Sequence, residues 1–216
     1  MITRVKICGL TRPEDVASAI EHGAAFLGFI VECPSKRRLS VKQAAALARP
    51  AKGLAARVAV TVNPDDDLIG RILTDMQPDY IQLHGDETPE RTADIAKRCD
   101  LKNTKIIKAV GVASDEDMKT SETYAGIADF ILYDAKPPKG ESVRGGHGIA
   151  IDWNIIANAP TPKLFAVAGG LNPKNVAEAI AATRAPIVDV SSGVEASAGV
   201  KDAAKIQAFM KNARWS

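Results

Sequence analysis

The sequence is poor in the residues that mark a metal or disulfide scaffold. It contains three cysteines and three histidines among 216 residues, and no two cysteines form a C-x-x-C pair. A disulfide framework is normally built from an even number of cysteines, and a structural zinc site from closely spaced ligand pairs. We therefore expect Cys8, Cys33 and Cys99 to be free thiols, and we expect neither a metal nor another cofactor.

Strong net charge and long apolar runs are also absent. The formal net charge is +2, and 46% of the residues are hydrophobic, as in ordinary globular proteins. This argues against nucleic-acid binding and against a polybasic membrane anchor. No apolar run approaches the roughly 18 residues of a spanning helix, and the N-terminus has no secretory signal pattern. We expect a cytoplasmic protein that acts on a small molecule, with no nucleic-acid or membrane partner.

Short β-branched runs alternate with segments of helical period along the chain. Each strand-like run is followed by a segment with apolar residues at i, i+3, i+4 and i+7, which is typical of an amphipathic helix. The eight strand-like runs are VKICG (5–9), FLGFIV (26–31), RVAVTV (57–62), YIQLHG (80–85), KIIKAVGV (105–112), DFILYDA (129–135), KLFAVAGG (163–170) and PIVDVSS (186–192).

This alternation predicts the fold. Continuously apolar strands are typical of a parallel sheet buried on both faces. Eight such units in about 200 residues predict one (β/α)8 barrel, the TIM-barrel fold, as a single domain over residues 1–216. A doubly wound open sheet is the alternative, but the first turn reads C-G-L-T and lacks the G-x-G-x-x-G fingerprint.

In such a barrel the active site lies at the C-terminal ends of the strands. Cys8 ends the first run and Asp134 ends the sixth, so they should face each other across the barrel mouth. A thiol whose pKa is lowered by nearby cations and a carboxyl at a dry rim can serve as base and acid in proton transfer. The alternatives are a packing role for Cys8 and, for Asp134, an ion pair with Lys136 or another lysine at the rim.

Small residues follow the last two strand-like runs, in AVAGGL and DVSSGV. There, backbone N–H groups can approach an anion, and barrels often bind phosphate at this edge. We expect the segment GVEA to form a short extra helix facing the same point. The alternative is that the glycines only make tight turns. The predicted phosphate-binding residues are Gly169, Gly170, Ser192 and Gly193.

Other polar residues interrupt or end the apolar runs. Asp189 should point into the barrel and pair with Lys6 or Lys108, and His84 ends the fourth run, where a hydrogen-bonded wall position is the alternative to catalysis. Arg37 lies in the loop PSKRRLS, where an arginine can bind a carboxylate through two hydrogen bonds. That loop can equally be a solvated surface, and the Gly- and Pro-rich loop 136–148 can either cover a ligand or simply be mobile.

Eight motifs, VKICGLT, PSKRRLS, QLHGDE, IKAVGV, YDAK, GGHG…DW, AGGLNPKNV and DVSSGVE…GVKD, together resemble phosphoribosylanthranilate isomerase. The resemblance runs in order from residue 4 to about residue 214. Members of this family are aldose–ketose isomerases of tryptophan biosynthesis that need no cofactor or metal. The resemblance therefore implies the rearrangement of N-(5′-phosphoribosyl)anthranilate to 1-(2-carboxyphenylamino)-1-deoxyribulose 5-phosphate.

The resemblance also implies a role for each candidate residue. Asp134 would be the general acid that opens the ribose ring, and Cys8 would be the general base that removes the C2′ proton. Arg37 would contact the anthranilate carboxylate, and a monomer or a homodimer would be expected. Gly170, Ser192 and Gly193 match the family's phosphate site, and His84 and Asp189 match positions that line its pocket.

Three positions depart from the family pattern. Arg38 replaces an aromatic residue, Tyr133 stands where leucine is usual, and His147 replaces a threonine or serine. Rival functions are a related sugar-phosphate barrel enzyme and a barrel that binds phosphate without catalysis. An indole-glycerol-phosphate synthase would need a lysine acid and a glutamate base, and a histidine-pathway isomerase an aspartate where this chain has Cys8. Retention of both Cys8 and Asp134 argues against a silent barrel.

Overall fold

Eight parallel strands form a closed barrel in the computed structural model, which describes residues 2–136 and 152–214. Each strand pairs with the next along the chain, and the first pairs with the last, so the predicted (β/α)8 barrel is confirmed. The strands are β1 (Arg4–Ile7), β2 (Phe26–Val31), β3 (Ala56–Thr61), β4 (Tyr80–Leu83), β5 (Lys105–Val112), β6 (Phe130–Ala135), β7 (Phe165–Val167) and β8 (Ile187–Val190).

A helix follows each strand in the described part of the chain, and several begin with the expected signals. Pro13 and Pro89 lie in the first turns of their helices, and Ser40 forms a capping box with Gln43. The helices are α1 (Pro13–Glu21), α2 (Val41–Ala48), α3 (Asp66–Arg71, continued by a π-helical turn at Ile72–Met76), α4 (Pro89–Asp100), α5 (Asp115–Glu122), α6 (Trp153–Asn158), α7 (Val176–Thr183) and α8 (Ala203–Arg214).

The barrel interior is apolar at one end and polar at the other. Phe26, Tyr80 and Phe130 are the first residues of β2, β4 and β6, and their rings pack edge to face with centroids 5.7–6.1 Å apart. Because alternate residues of a strand face the same side, the inward positions run from these rings toward polar side chains at the C-terminal ends. The polar end is therefore the end that can hold a ligand.

The chain after β8 differs from the expectation for GVEA. Ser192–Val194 forms a single 3-10 turn, and Glu195–Ser197 then pairs antiparallel with Val200–Lys201. The expected helix is thus wrong beyond its first turn, because the chain reverses through Gly199, whose φ is +83°. None of the helices in the described ranges is long and apolar enough to cross a bilayer.

Candidate active site

Cys8 lies directly after β1, beside a buried ion pair. Its backbone N–H donates to the Val190 carbonyl oxygen at 2.8 Å, which ties this end of β1 to β8. Lys6, on the same face of the strand, is fully buried, and its Nζ lies 3.0 Å from Asp189 Oδ1. A Cβ on Gly28 of β2 would lie 2.9 Å from Cys8 Sγ and 3.1 Å from Lys6 Nζ. The glycine therefore leaves the space that the thiol and the ammonium occupy.

Burial dominates the electrostatics of this thiol. Burial raises the pKa of Cys8, and the opposing charges of Lys6 and Lys201 do not fully offset it. The nearby cations therefore lower the pKa of Cys8 as expected, but burial outweighs them and the net shift is upward. Burial alone would lower the pKa of Lys6, but Asp189 and Cys8 outweigh it and raise that pKa. Lys6 is therefore a permanent positive charge beside the sulfur.

Asp134 of β6 accepts one backbone hydrogen bond and lies beside His84. His84 Nε2 lies 3.2 Å from Asp134 Oδ2, and the Ala135 N–H donates to Oδ1 at 2.8 Å. Gln82 Nε2 lies 2.8 Å from His84 Nδ1. Because an amide nitrogen can only donate, Nδ1 is the acceptor of this contact, and Nε2 is the ring nitrogen that faces Asp134. Gln82 thus hydrogen-bonds to His84, and His84 in turn lies against Asp134.

Among the residues that the structure describes, neither Lys136 nor Lys108 pairs with a candidate site carboxylate. Lys136 Nζ lies 2.7 Å from Asp117 Oδ1, so it pairs with α5, and Asp134 contacts His84 instead. Lys108 Nζ lies 2.6 Å from Glu87 Oε2, on the outer face of β5. Alternate residues of β5 face the barrel interior, and Lys108 is not among them. The partner of Asp189 is therefore Lys6.

Arg37 is bound side-on by Glu195. Its Nε lies 2.7 Å from Oε1 and its Nη2 lies 2.6 Å from Oε2. Lys201 Nζ contacts the same carboxylate, 2.8 Å from Oε1. Burial would raise the pKa of Glu195, but the hydrogen bonds from Arg37 and Lys201 outweigh it and lower that pKa. Sequence reasoning assigned no role to Glu195 or Lys201, although both lie in the motif DVSSGVE…GVKD.

The turns after β7 and β8 lie against each other. Gly169 and Gly170 have φ of +82° and +63°, a conformation that glycine adopts without steric cost. A Cβ on Gly193 would collide with the Leu171 carbonyl oxygen, so the second turn packs directly on the first. The structure thus brings Gly169, Gly170, Ser192 and Gly193 to one edge of the barrel mouth, where phosphate binding stays a prediction.

The departures from the family pattern lie away from this site or outside the described residues. Tyr133 points outward, with its ring against Phe165 and its hydroxyl 3.3 Å from Ser121 Oγ. Arg38 is exposed, and His147, like the loop 136–148 beyond Lys136, lies outside the described residues. Within the ranges that the structure describes, no cluster of three or more His, Cys, Asp or Glu side chains is arranged to hold a metal ion.

Comparison with known proteins decides the family. The family model for N-(5′-phosphoribosyl)anthranilate (PRA) isomerase matches residues 5–212. The chain belongs to the PRA isomerase family. A PRA isomerase from Rhodopseudomonas palustris is 44% identical over 214 residues, covering 99% of each chain. A PRA isomerase from Paracoccus denitrificans is 45% identical over 213 residues, covering 99% of this chain and 98% of the relative.

Solved PRA isomerase structures share the fold. The isomerase from Thermotoga maritima superposes with a TM-score of 0.86 at 38% identity, covering 98% of each chain. Another, with a TM-score of 0.83 at 36% identity, covers 98% of each chain and is in complex with reduced 1-(o-carboxyphenylamino)-1-deoxyribulose 5-phosphate. A third describes monomers generated from the dimeric T. maritima isomerase. The predicted family and the predicted isomerase class are therefore confirmed.

Proposed function

We propose that this chain converts N-(5′-phosphoribosyl)anthranilate into 1-(2-carboxyphenylamino)-1-deoxyribulose 5-phosphate, a step of tryptophan biosynthesis. The observation that carries the proposal is the placement of Cys8 and Asp134 at the polar barrel mouth, at the ends of β1 and β6. Both are buried, with 7% and 8% exposure, and both interact electrostatically with Asp189. A small substrate between them can exchange protons with a different group on each side.

Asp134 is the proposed general acid. Its carboxyl donates a proton to the ribose ring oxygen as the bond from that oxygen to C1′ breaks. The lone pair of the anthranilate nitrogen then forms a C=N bond to C1′. The hydrogen bond from the Ala135 N–H and the close contact with His84 orient the carboxyl, which supports a defined direction of proton transfer.

Cys8 is the proposed general base. Its thiolate removes the proton on C2′, and the electrons of that C–H bond form a C=C bond as the C=N electrons return to nitrogen. The resulting enolamine tautomerises to the ketone, with a net transfer of hydrogen from C2′ to C1′. Lys6 supports this role, because its ammonium favours the thiolate form of Cys8 that accepts the proton.

Two further groups of residues would hold the substrate. Arg37 lies within electrostatic reach of Cys8, so a carboxylate bound to its guanidinium would place the anthranilate beside the thiol. The turns at 169–170 and 192–193 would bind the phosphate through backbone N–H groups. Asp189 would line the pocket while holding Lys6, and His84 would line it while holding Asp134.

Direct turnover tests this function. Purified protein mixed with freshly made N-(5′-phosphoribosyl)anthranilate should change the anthranilate fluorescence at a rate proportional to enzyme concentration. The double variant Cys8→Ala/Asp134→Asn, prepared identically, measures the spontaneous decay of the substrate. A wild-type rate equal to that blank would overturn the proposal, and so would turnover to a product other than the ketose.

A further inference from the structure

The two hydrogen bonds between Arg37 and Glu195 use only one edge of the guanidinium. Arginine offers five N–H donors, and the side-on fork to Glu195 uses one on Nε and one on Nη2. Within the part of the chain that the structure describes, Nη1 has no hydrogen-bond partner, so the end-on edge remains for a ligand. Two carboxylates can therefore share this arginine without displacing each other.

Lys201 balances the charge of this arrangement. Its Nζ lies 2.8 Å from Glu195 Oε1 and 3.1 Å from the Ser191 carbonyl oxygen, and its side chain is fully buried. Arg37 and Lys201 bring two positive charges and Glu195 brings one negative charge. One positive charge is left over, which matches a single bound carboxylate.

The hairpin that carries Glu195 and Lys201 is hydrogen-bonded to the segment that follows Cys8. Gly9 has φ of +73°, and a Cβ there would collide with Arg37 Cδ, so the arginine crosses directly over this turn. Thr11 Oγ1 donates to the Gly199 carbonyl oxygen at 2.5 Å, and the Lys201 N–H donates to Asp15 Oδ2 at 3.1 Å. The position of Arg37 relative to the thiol is thus fixed by the turn at Gly9 and by the hairpin that carries Glu195.

We propose that Glu195, charge-balanced by Lys201, is a positioning residue that turns the free edge of Arg37 toward the carboxylate of the substrate. This inference rests on the proposed function and adds a specificity element to it. Glu195 does not touch the substrate. It acts through Arg37, so its contribution depends on the substrate carrying an ortho-carboxylate.

A comparison of two substrates tests this role. Wild type and Glu195→Gln are assayed with N-(5′-phosphoribosyl)anthranilate and with N-(5′-phosphoribosyl)aniline, which lacks the carboxylate. For the anthranilate substrate, Glu195→Gln should raise KM by about tenfold or more with kcat changed less than about threefold, the pattern of lost binding energy. For the aniline substrate, kcat/KM should be the same in wild type and variant.

A second variant covers the case in which Glu195→Gln folds poorly. Glu195→Gln leaves Lys201 as a buried charge without its partner, which is costly, whereas Glu195→Gln/Lys201→Met removes both charges. The double variant should show the same selective rise in KM. Asp79→Asn is the matched control. Arg57 donates to Asp79 from Nε at 2.9 Å and from Nη2 at 3.1 Å, the same side-on geometry as between Arg37 and Glu195. This pair lies at the opposite end of the barrel. The control variant should leave both KM values unchanged.

The contrary outcomes separate the two proposals. An equal loss of kcat/KM on both substrates would assign Glu195 a structural role and overturn the inference while the proposed function stands. An unchanged KM for the anthranilate substrate in both variants would overturn it as well. If wild type turned over neither substrate, the proposed function would fail, and this inference would fail with it.

Discussion

Lys6 Nζ lies 3.0 Å from Asp189 Oδ1, on the interior face of the barrel next to Cys8. Desolvating two charges is expensive, and a buried ion pair is often no more stable than apolar residues of similar size. The pair is therefore better explained by its effect on the ionisation of the Cys8 thiol than by a contribution to folding stability. Asp189 keeps the ammonium in place, and the ammonium offsets part of the cost of forming a buried thiolate.

Lys6→Met should make the Cys8 thiol harder to ionise. Cys8 faces Lys6, Asp189 and Lys201, and Lys6 is the largest charge contribution that lowers the pKa of the thiol. In a Cys33→Ala/Cys99→Ala background, the thiolate absorbance near 240 nm should rise at higher pH in the variant than in its parent. A direct pH titration of that absorbance measures the shift.

The companion variant Lys6→Met/Asp189→Leu separates charge from folding. Removing Lys6 alone leaves a buried carboxylate unpaired, at a cost of about 3–5 kcal/mol, whereas the apolar pair avoids this cost. Both variants lack the ammonium, so both should show the upward shift. A titration that coincides with the parent in the folded double variant would refute the role assigned to Lys6.

Gln82→Leu should slow the reaction through His84 rather than through binding. The variant removes the 2.8 Å hydrogen bond to Nδ1 that orients the His84 ring, whose Nε2 faces Asp134. Loss of one hydrogen bond of about 1 kcal/mol predicts a fall in kcat on the order of fivefold to tenfold, with KM nearly unchanged. Steady-state kinetics across a pH range checks both values.

A double-mutant cycle identifies the route of this effect. If Gln82 acts only by orienting His84, then Gln82→Leu/His84→Ala should be no slower than His84→Ala alone. Additive losses would mean that Gln82 supports the barrel interior in some other way. Gln82 is fully buried, so thermal melting of each variant accompanies the kinetics.

Strand parity explains why much of the site could be predicted. FLGFIV and KIIKAVGV form strands with the predicted bounds, and the alternation of residues along strands places Cys8, His84 and Asp134 on the inner face at the C-terminal ends. The same alternation separates Lys6, which faces inward, from Lys108, which faces outward. Strand positions alone were therefore enough to gather the candidate acid, base and wall residues.

Contacts between distant loops could not be predicted in the same way. The fork between Arg37 and Glu195 joins residues 158 positions apart, in a loop and a hairpin that no periodicity describes. The net pKa of Cys8 depends on how completely the barrel excludes water, which the sequence does not encode locally. The GVEA segment does not form the expected helix, because Glu195 is held by Arg37 and Lys201, and these tertiary contacts leave no local signal in the sequence.

Cys99 should make the protein less stable at alkaline pH. Burial raises the pKa of this α4 thiol to about 12, whereas an unfolded thiol ionises near 8.5. The native state therefore keeps a proton that the unfolded chain releases, and the stability linked to Cys99 is present below about pH 8.5 and lost progressively toward pH 12. The fall in melting temperature between pH 8 and pH 10.5 should be smaller in Cys99→Ala than in wild type.

The comparison uses the change in melting temperature with pH, because Cys99→Ala also removes buried atoms at every pH. Cys33 serves as the internal parallel, since burial raises its pKa to about 11 and its alanine variant should behave in the same direction. Identical alkaline slopes for wild type and both variants would contradict the linkage.

The kcat values of Cys8→Ser and Asp134→Asn test the central claim most directly. The account predicts that each variant loses about 10²–10⁴-fold in kcat, the usual cost of removing a general acid or base. Each should still bind the reduced product analogue with near-wild-type affinity, because Arg37 and the turns after β7 and β8 are untouched. A near-wild-type kcat in either variant would contradict the assignment of Cys8 as base and Asp134 as acid.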